Sequence, residues 1–230
     1  MMNDELIYWL GILKKKPDLK EFVSQISNEP ALIGILLAII DVEKGTAKYN
    51  AEKIIRYVSE RNPVLLYPYF DGIAKLLKSP NNFIKWGAVT ILANLVTIDS
   101  ENRFDAIFDQ YFSLLNSESM VGAANVISST WKIIVAKPDY ETSITERLFR
   151  IADNVYLIRG KPSPECKNIL YGQMLDCFDK YFAMSASQDK MIEFAAEQRS
   201  NSRKQVARKA ESFLKKHTVL EIIQKLPPLP

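Results

Sequence analysis

Apolar residues recur three and four positions apart through most of the chain, a spacing that predicts helices rather than strands. The clearest stretch runs from Leu65 to Ile98. Its first half places Leu66, Phe70, Ile73, Ala74 and Leu77 on one stripe. Ser79, Pro80, Asn81 and Asn82 then interrupt the pattern with turn chemistry, because Asn and Ser side chains bond their own backbone and Pro has no N–H. Ile84, Ala88, Ile91, Leu92 and Leu95 resume it. A break this short favours antiparallel packing of the two helices.

The same pattern predicts elements on either side. An opening helix over 3–14 carries Leu6, Trp9, Leu10 and Leu13, with Lys14, Lys15 and Lys16 where cations suit the helix dipole. Pro17 separates it from a short helix over 18–27. Asn28 stands where it would N-cap a third helix, with Pro30 in the first turn. That helix, to Val42, is apolar on nearly all sides and needs neighbours on both faces. A fourth spans 46–61 and ends at Asn62-Pro63. After the central pair, 103–116 and 120–136 form another, the latter with Ala124, Ile127, Trp131 and Ile134. Residues 140–154 begin the next. The rhythm breaks at Val155–Glu165, where two prolines and a glycine predict a connector without helix, and it returns over 165–184. A last pair spans 188–198 and 201–217. Residues 218–230 read as one short apolar turn followed by Lys225–Pro230, whose prolines cannot stay helical.

Overlaying the second helix of each pair on the next brings one residue into register. Ala51, Ala88, Ala124 and Ala207 share the place, with Tyr171 in the fourth pair, at steps of 37, 36, 47 and 36 residues. The long step holds the extra loop. A period in the high thirties with two helices per period marks a stacked α-solenoid. One hairpin cannot hide its own apolar faces, and a small residue at the crossing lets helices approach closely.

Residues 65–95 resemble a HEAT repeat of the HEAT/armadillo-like solenoid family. Leu66, Pro68, Leu76 and Leu77 match the first helix of that pattern, Ser79-Pro80 its turn, and Ile84, Lys85, Ala88 and Leu92 its second helix. Lys48 and Lys204 share the basic column of Lys85, three residues before the column of small residues. The column is not basic at Val121 and Asn168, and the turns lack the usual Asp. The resemblance implies an all-α fold, a right-handed α-α superhelix of about five stacked hairpins in a single domain. Residues 1–28 would be a cap, 29–217 the repeats and 218–230 a tail. It also implies that the second helices line a concave surface.

Composition narrows the chemistry. The chain has 230 residues, 47% of them hydrophobic, enough for a substantial core. Its net charge of +3 gives no global field of the kind that marks a nucleic-acid binder. The two cysteines, Cys166 and Cys177, would lie roughly 16 Å apart on one helix at about 1.5 Å per residue. A disulfide needs Cα atoms within about 7 Å, so both read as reduced thiols of a cytoplasmic protein. Acidic residues precede the apolar run of the first helix and no small-residue cleavage site follows, so no signal peptide is expected. The longest apolar run, Ala31–Ile40, is too short for a membrane span.

Catalytic sets are missing from the pattern. His217 is the one histidine and reads as a cation near a helix C-terminus. One His and two spaced Cys supply neither a Ser-His-Asp set nor a zinc framework, and no Gly-rich phosphate loop appears. Neither a cofactor nor a metal is expected. Acidic pairs such as Asp105/Asp109 and Asp176/Asp179 read as solvated helix faces.

Trp86 has two readings, a packed residue between repeats or an anchor for a partner. Trp131 falls in a core column. The last pair is locally basic: Arg199, Arg203, Lys204, Arg208, Lys209, Lys215 and Lys216 make either a polar outer face or a patch for acids or phosphates. The loop at 155–165 and the terminal KLPPLP are either connectors or extended docking segments. Two functions stay open. The first is a non-enzymatic scaffold binding a protein partner through Trp86, Lys48, Lys85, Lys204 and Arg208. The second is a nucleic-acid binder resembling the HEAT-like alkylpurine DNA glycosylases, whose catalytic residues find no position-by-position match here.

Overall fold

The stripes of the central stretch become the core. In the computed structural model, which describes residues 2–15 and 18–225, Leu66, Phe70, Ile73, Ile84, Ala88, Ile91, Leu92 and Leu95 are all buried. The helices in order are α1 (Met2–Leu13), α2 (Leu19–Asn28), α3 (Leu32–Val42), α4 (Thr46–Arg61), α5 (Phe70–Lys75), α6 (Asn82–Leu95), α7 (Phe108–Phe112), α8 (Met120–Ala136), α9 (Glu141–Phe149), α10 (Pro164–Tyr181), α11 (Gln188–Gln198) and α12 (Lys204–Lys225). They fall into two compact units, Met1–Tyr111 and Phe112–Pro230.

Caps and prolines set the boundaries. Asp18 Oδ1 accepts the backbone N–H groups of Lys20 and Glu21 at 2.9 and 3.3 Å, and Asn81 Oδ1 accepts those of Phe83 and Ile84 at 3.0 and 3.4 Å. Asn28 does not cap α3. It ends α2, and α3 starts at Leu32 without a side-chain cap. The expected single helix before Ser79 is broken: α5 is flanked by 3-10 turns at Pro63–Leu65, Tyr67–Tyr69 and Leu76–Lys78. Pro63 and Pro68 have no N–H for an i→i−4 bond, and the first turn starts at Pro63 while the second holds Pro68 at its middle residue.

In the first unit α3 pairs with α4, α5 with α6, and the second helices α4 and α6 pack on each other. Where they meet, a Cβ on Gly87 would run into the carboxyl of the Glu52 side chain. Glu52 is buried and takes Arg56 Nε at 2.9 Å. Burial raises its pKa above the usual carboxylate value, and Arg56 works against that rise. A second polar rung links the helices where Asn94 Nδ2 donates to Ser59 Oγ at 2.9 Å, both residues buried. α1 and α2 lie against α4, and Asn50 Nδ2 donates to the carbonyls of Leu13 and Lys15 at 2.8 and 3.0 Å, closing the end of α1.

In the second unit α10 packs against both α8 and α12, and α11 pairs with α12. The buried Glu141 accepts Thr145 Oγ1 at 2.9 Å, Ser185 Oγ, and the Ala186 N–H at 3.3 Å, tying α9 to the turn before α11. The small-residue column holds in the first unit, where Ala51 and Ala88 are fully buried. It shifts in the second. Ala124, Tyr171 and Ala207 are half-buried, and the residues one position earlier, Ala123, Leu170 and Val206, take the core. One residue is about 100° of rotation on a helix, so the same repeat spacing serves two helix phases.

The segment after α9 is folded rather than free. Leu157–Ile158 and Lys161–Pro162 pair as a two-stranded antiparallel hairpin, turned by Arg159 and Gly160, both at positive φ. Tyr156 Oη donates to the Leu115 carbonyl at 2.7 Å and Leu157 N–H to that of Glu118 at 3.0 Å. These bonds moor the segment to its own unit. At the other end α12 continues to Lys225, seven residues past the expected boundary at Thr218. Of the KLPPLP run, residues 226–230 lie outside the described residues.

Gly87→Ala is expected to destabilise the chain by about 1–3 kcal/mol through overpacking, although Ala is a better helix former by about 0.8–1.0 kcal/mol. Glu52→Ala in the same chain removes the clash, so the double variant should lose less than the two single costs combined. Urea unfolding of the four chains reads this directly. Additive costs would mean that Gly87 and Glu52 do not meet.

Candidate functional site

The exposed sides of α4 and α6 carry a set of aromatic rings. The Phe83 ring lies 5.3 Å from Trp86 at 63° and 6.0 Å from Tyr49 at 75°. Phe83 is 66% exposed and Tyr49 40%, while Trp86 is half-buried. Asn81, the cap of α6, donates through Nδ2 to Tyr49 Oη at 3.0 Å, so one residue both starts the helix and fixes the ring from its neighbour. Lys48 and Lys85 are half-buried beside Tyr49 and Trp86 in sequence, and neither makes an ion pair among the described residues. Exposed rings of this size are costly to leave in water and serve as contact anchors. Tyr49 and Phe83 escaped the sequence reading. A signal was present: Tyr49 follows Lys48 as Trp86 follows Lys85, one period apart.

Lys204 and Arg208 stand in the other unit, on the exposed side of α12. Much of the basic character around them is neutralised. Arg203 pairs with Glu165, Lys209 with Asp176, and Lys216 with Asp179 at 2.8 Å, so α10 and α12 face each other through a ladder of opposite charges. Lys204 and Arg208 make no ion pair among the described residues.

His217 differs from expectation. Because α12 runs on, it lies within the helix rather than at its end, and it is buried. Its ring is 4.0 Å from Phe182 and 4.4 Å from Phe213, with Nε2 2.7 Å from Asp179 Oδ1. Trp131 is not core but half-buried, with Lys180 Nζ 4.5 Å above its ring. Cys166 and Cys177 are free and buried, and burial pushes the Cys177 thiol up to about 12, too high for a nucleophile near neutrality. Among the described residues no three His, Cys, Asp or Glu side chains are grouped to hold a metal, and no helix is long and apolar enough to cross a membrane.

No protein-family model matches the chain, and no curated protein matches it in sequence. Solved structures do. The chain superposes on the designed armadillo repeat protein YIII(Dq)4CqI with a TM-score of 0.53 at 15% identity, covering 91% of this chain and 98% of that one. A second, the designed armadillo repeat protein YIII(Dq.V1)4CPAF in complex with peptide (KR)4, gives 0.52 at 14% identity, over 92% and 97%. The fold is an all-α, HEAT/armadillo-like helical repeat. In this armadillo-like chain the second helices α4 and α6 present the aromatic set, and α10 and α12 present the charge ladder.

That ladder has a pH signature. Burial works to raise the Asp179 pKa, but the hydrogen bonds and charges of Lys216 and His217 outweigh it and hold the carboxyl below its usual value. A lowered carboxyl stabilises the fold above its unfolded pKa of about 3.9 and loses that contribution as pH falls through the lower folded value. Asp179→Ala is expected to cost about 1–3 kcal/mol at pH 7, because buried His217 loses its hydrogen-bond partner. The gap from the parent chain should narrow below about pH 4. Unfolding midpoints measured from pH 7 to pH 2 test both, and a gap independent of pH would refute the assignment.

Proposed function

We propose that this chain is a non-enzymatic scaffold that binds a partner protein through the face of α4 and α6. The observation that carries the reading is the exposed set of Tyr49, Phe83 and Trp86 on two adjacent second helices. Trp86 is an anchor in this reading. Lys85 precedes it and Lys48 precedes Tyr49 in sequence, neither in an ion pair among the described residues, and Lys204 and Arg208 supply further cations in the second unit. The fold supports the reading, since a designed armadillo repeat protein has been solved in complex with peptide (KR)4. That peptide is basic. Lysines around the aromatic set here suit the opposite sign, so the partner segment is acidic with an apolar anchor.

Duplex nucleic acid is the competing partner. The ion pairs of Arg203, Lys209 and Lys216 reduce the positive charge left for phosphates. A duplex probe that shifts at low salt and is released steeply as salt rises would favour it over the protein partner.

Panning a random-peptide display library on the purified chain is expected to enrich acidic peptides with an aromatic or aliphatic anchor. Phe83→Ala/Trp86→Ala should weaken the selected peptides by about tenfold or more. Lys48→Glu/Lys85→Glu should weaken them more at low salt than at high salt. Selected peptides indifferent to all four substitutions would overturn the proposal.

A further inference from the structure

The second unit holds a separate groove, about 570 Å³ in volume, between α9 and α11. Its floor is Tyr171 of α10, the one residue that breaks the run of alanines in the repeat register. The other repeats have a methyl group at this position and here there is a phenol ring. Phe194 of α11 stands over it, 5.4 Å away at 83°, and Phe149 of α9 closes the side, 6.0 Å from Phe194 at 66°. The buried Phe178 lies behind both, 5.4 Å from Phe149 and 5.8 Å from Phe194, and fixes their positions.

The rim is charged. Glu146, Glu193 and Glu197 line the groove with Arg150 and Lys190. None of these five makes an ion pair among the described residues, so the carboxylates are not neutralised by close contact and exceed the cations by one. Burial first, then the charge of Glu197, raises the pKa of Tyr171, which puts that carboxylate within electrostatic reach of the ring. Tyr171 and Phe194 meet edge to face at 83°, and Phe149 and Phe194 at 66°, so the three half-buried rings are not stacked in parallel, and a ring face attracts a cation. Carboxylates above such rings repel an anion and favour a positive ligand.

We propose that the groove between α9 and α11 binds the ammonium head of a lysine side chain, free or methylated, presented by a partner peptide. Phe149, Tyr171 and Phe194 supply the rings, and Glu193 and Glu197 supply the charge. The groove is open to solvent, and its volume of about 570 Å³ leaves room for an ammonium head and its methylene stem. This site uses none of the residues of the α4–α6 face, so either assignment stands if the other falls.

The test uses the full chain and a labelled short peptide with a central trimethyllysine. The control peptide is identical except for a neutral tert-butyl isostere of the same shape. The charged peptide is expected to bind at least about tenfold more tightly than the neutral one, as a cation held by ring faces and carboxylates requires. Glu193→Lys/Glu197→Lys changes two exposed residues and should abolish that preference while leaving the thermal melt unchanged. Tyr171→Ala should weaken the charged peptide by about tenfold, and Trp86→Ala should leave its binding unaltered. Equal binding of the two peptides, or indifference to the charge reversal, would overturn the proposal. Tetramethylammonium binding as tightly as the peptide would assign the groove to a free small cation and overturn the peptide as its occupant.

Discussion

A two-helix hairpin has more apolar surface than it can hide, and the architecture follows from that surplus. In the first unit α4 is covered by α3 and by the N-terminal helices, yet its remaining face closes only when α6 arrives. At Gly87 the Glu52 carboxyl occupies the space a methyl group would need, so any larger residue there must displace that side chain. Burying that carboxylate is tolerable only because Arg56 reaches it along the same helix. Packing between successive second helices therefore sets the spacing of everything else, including the rings that face solvent.

Helix positions were legible because a stripe at three- and four-residue spacing has few other solutions. α4 and α8 begin and end where the pattern places them. The failures have specific causes. Asn28 has the right chemistry for a cap, but α2 claims it first. Proline turns a regular-looking stripe into 3-10 segments around α5 without moving its buried residues. Repeat length alone could not reveal that the second unit rotates its core by one residue, because spacing between equivalent positions is the same in either phase.

The candidate surfaces were only partly readable for a related reason. A sequence gives the column a residue occupies but not which side of that column meets water. Trp86 stands out in the sequence as a candidate anchor, whereas Tyr49 and Phe83 become part of the site only because α4 and α6 lie side by side. The basic last pair shows the reverse. Counting charges suggests a patch, and the carboxylates of α10 opposite α12 neutralise three of its members. His217 reads as a helix end, yet the apolar residues that follow it belong to the same helix, which runs on to Lys225.

The hairpin after α9 has a practical consequence. Its base is fastened by Tyr156 and Leu157, while the Arg159-Gly160 tip is exposed and already adopts a left-handed turn. Extra residues spliced there would lengthen a solvent-facing tip, and closing a longer loop costs little. An epitope or a fluorophore-carrying sequence inserted at that tip would give the chain an internal handle without replacing a residue of either surface discussed here.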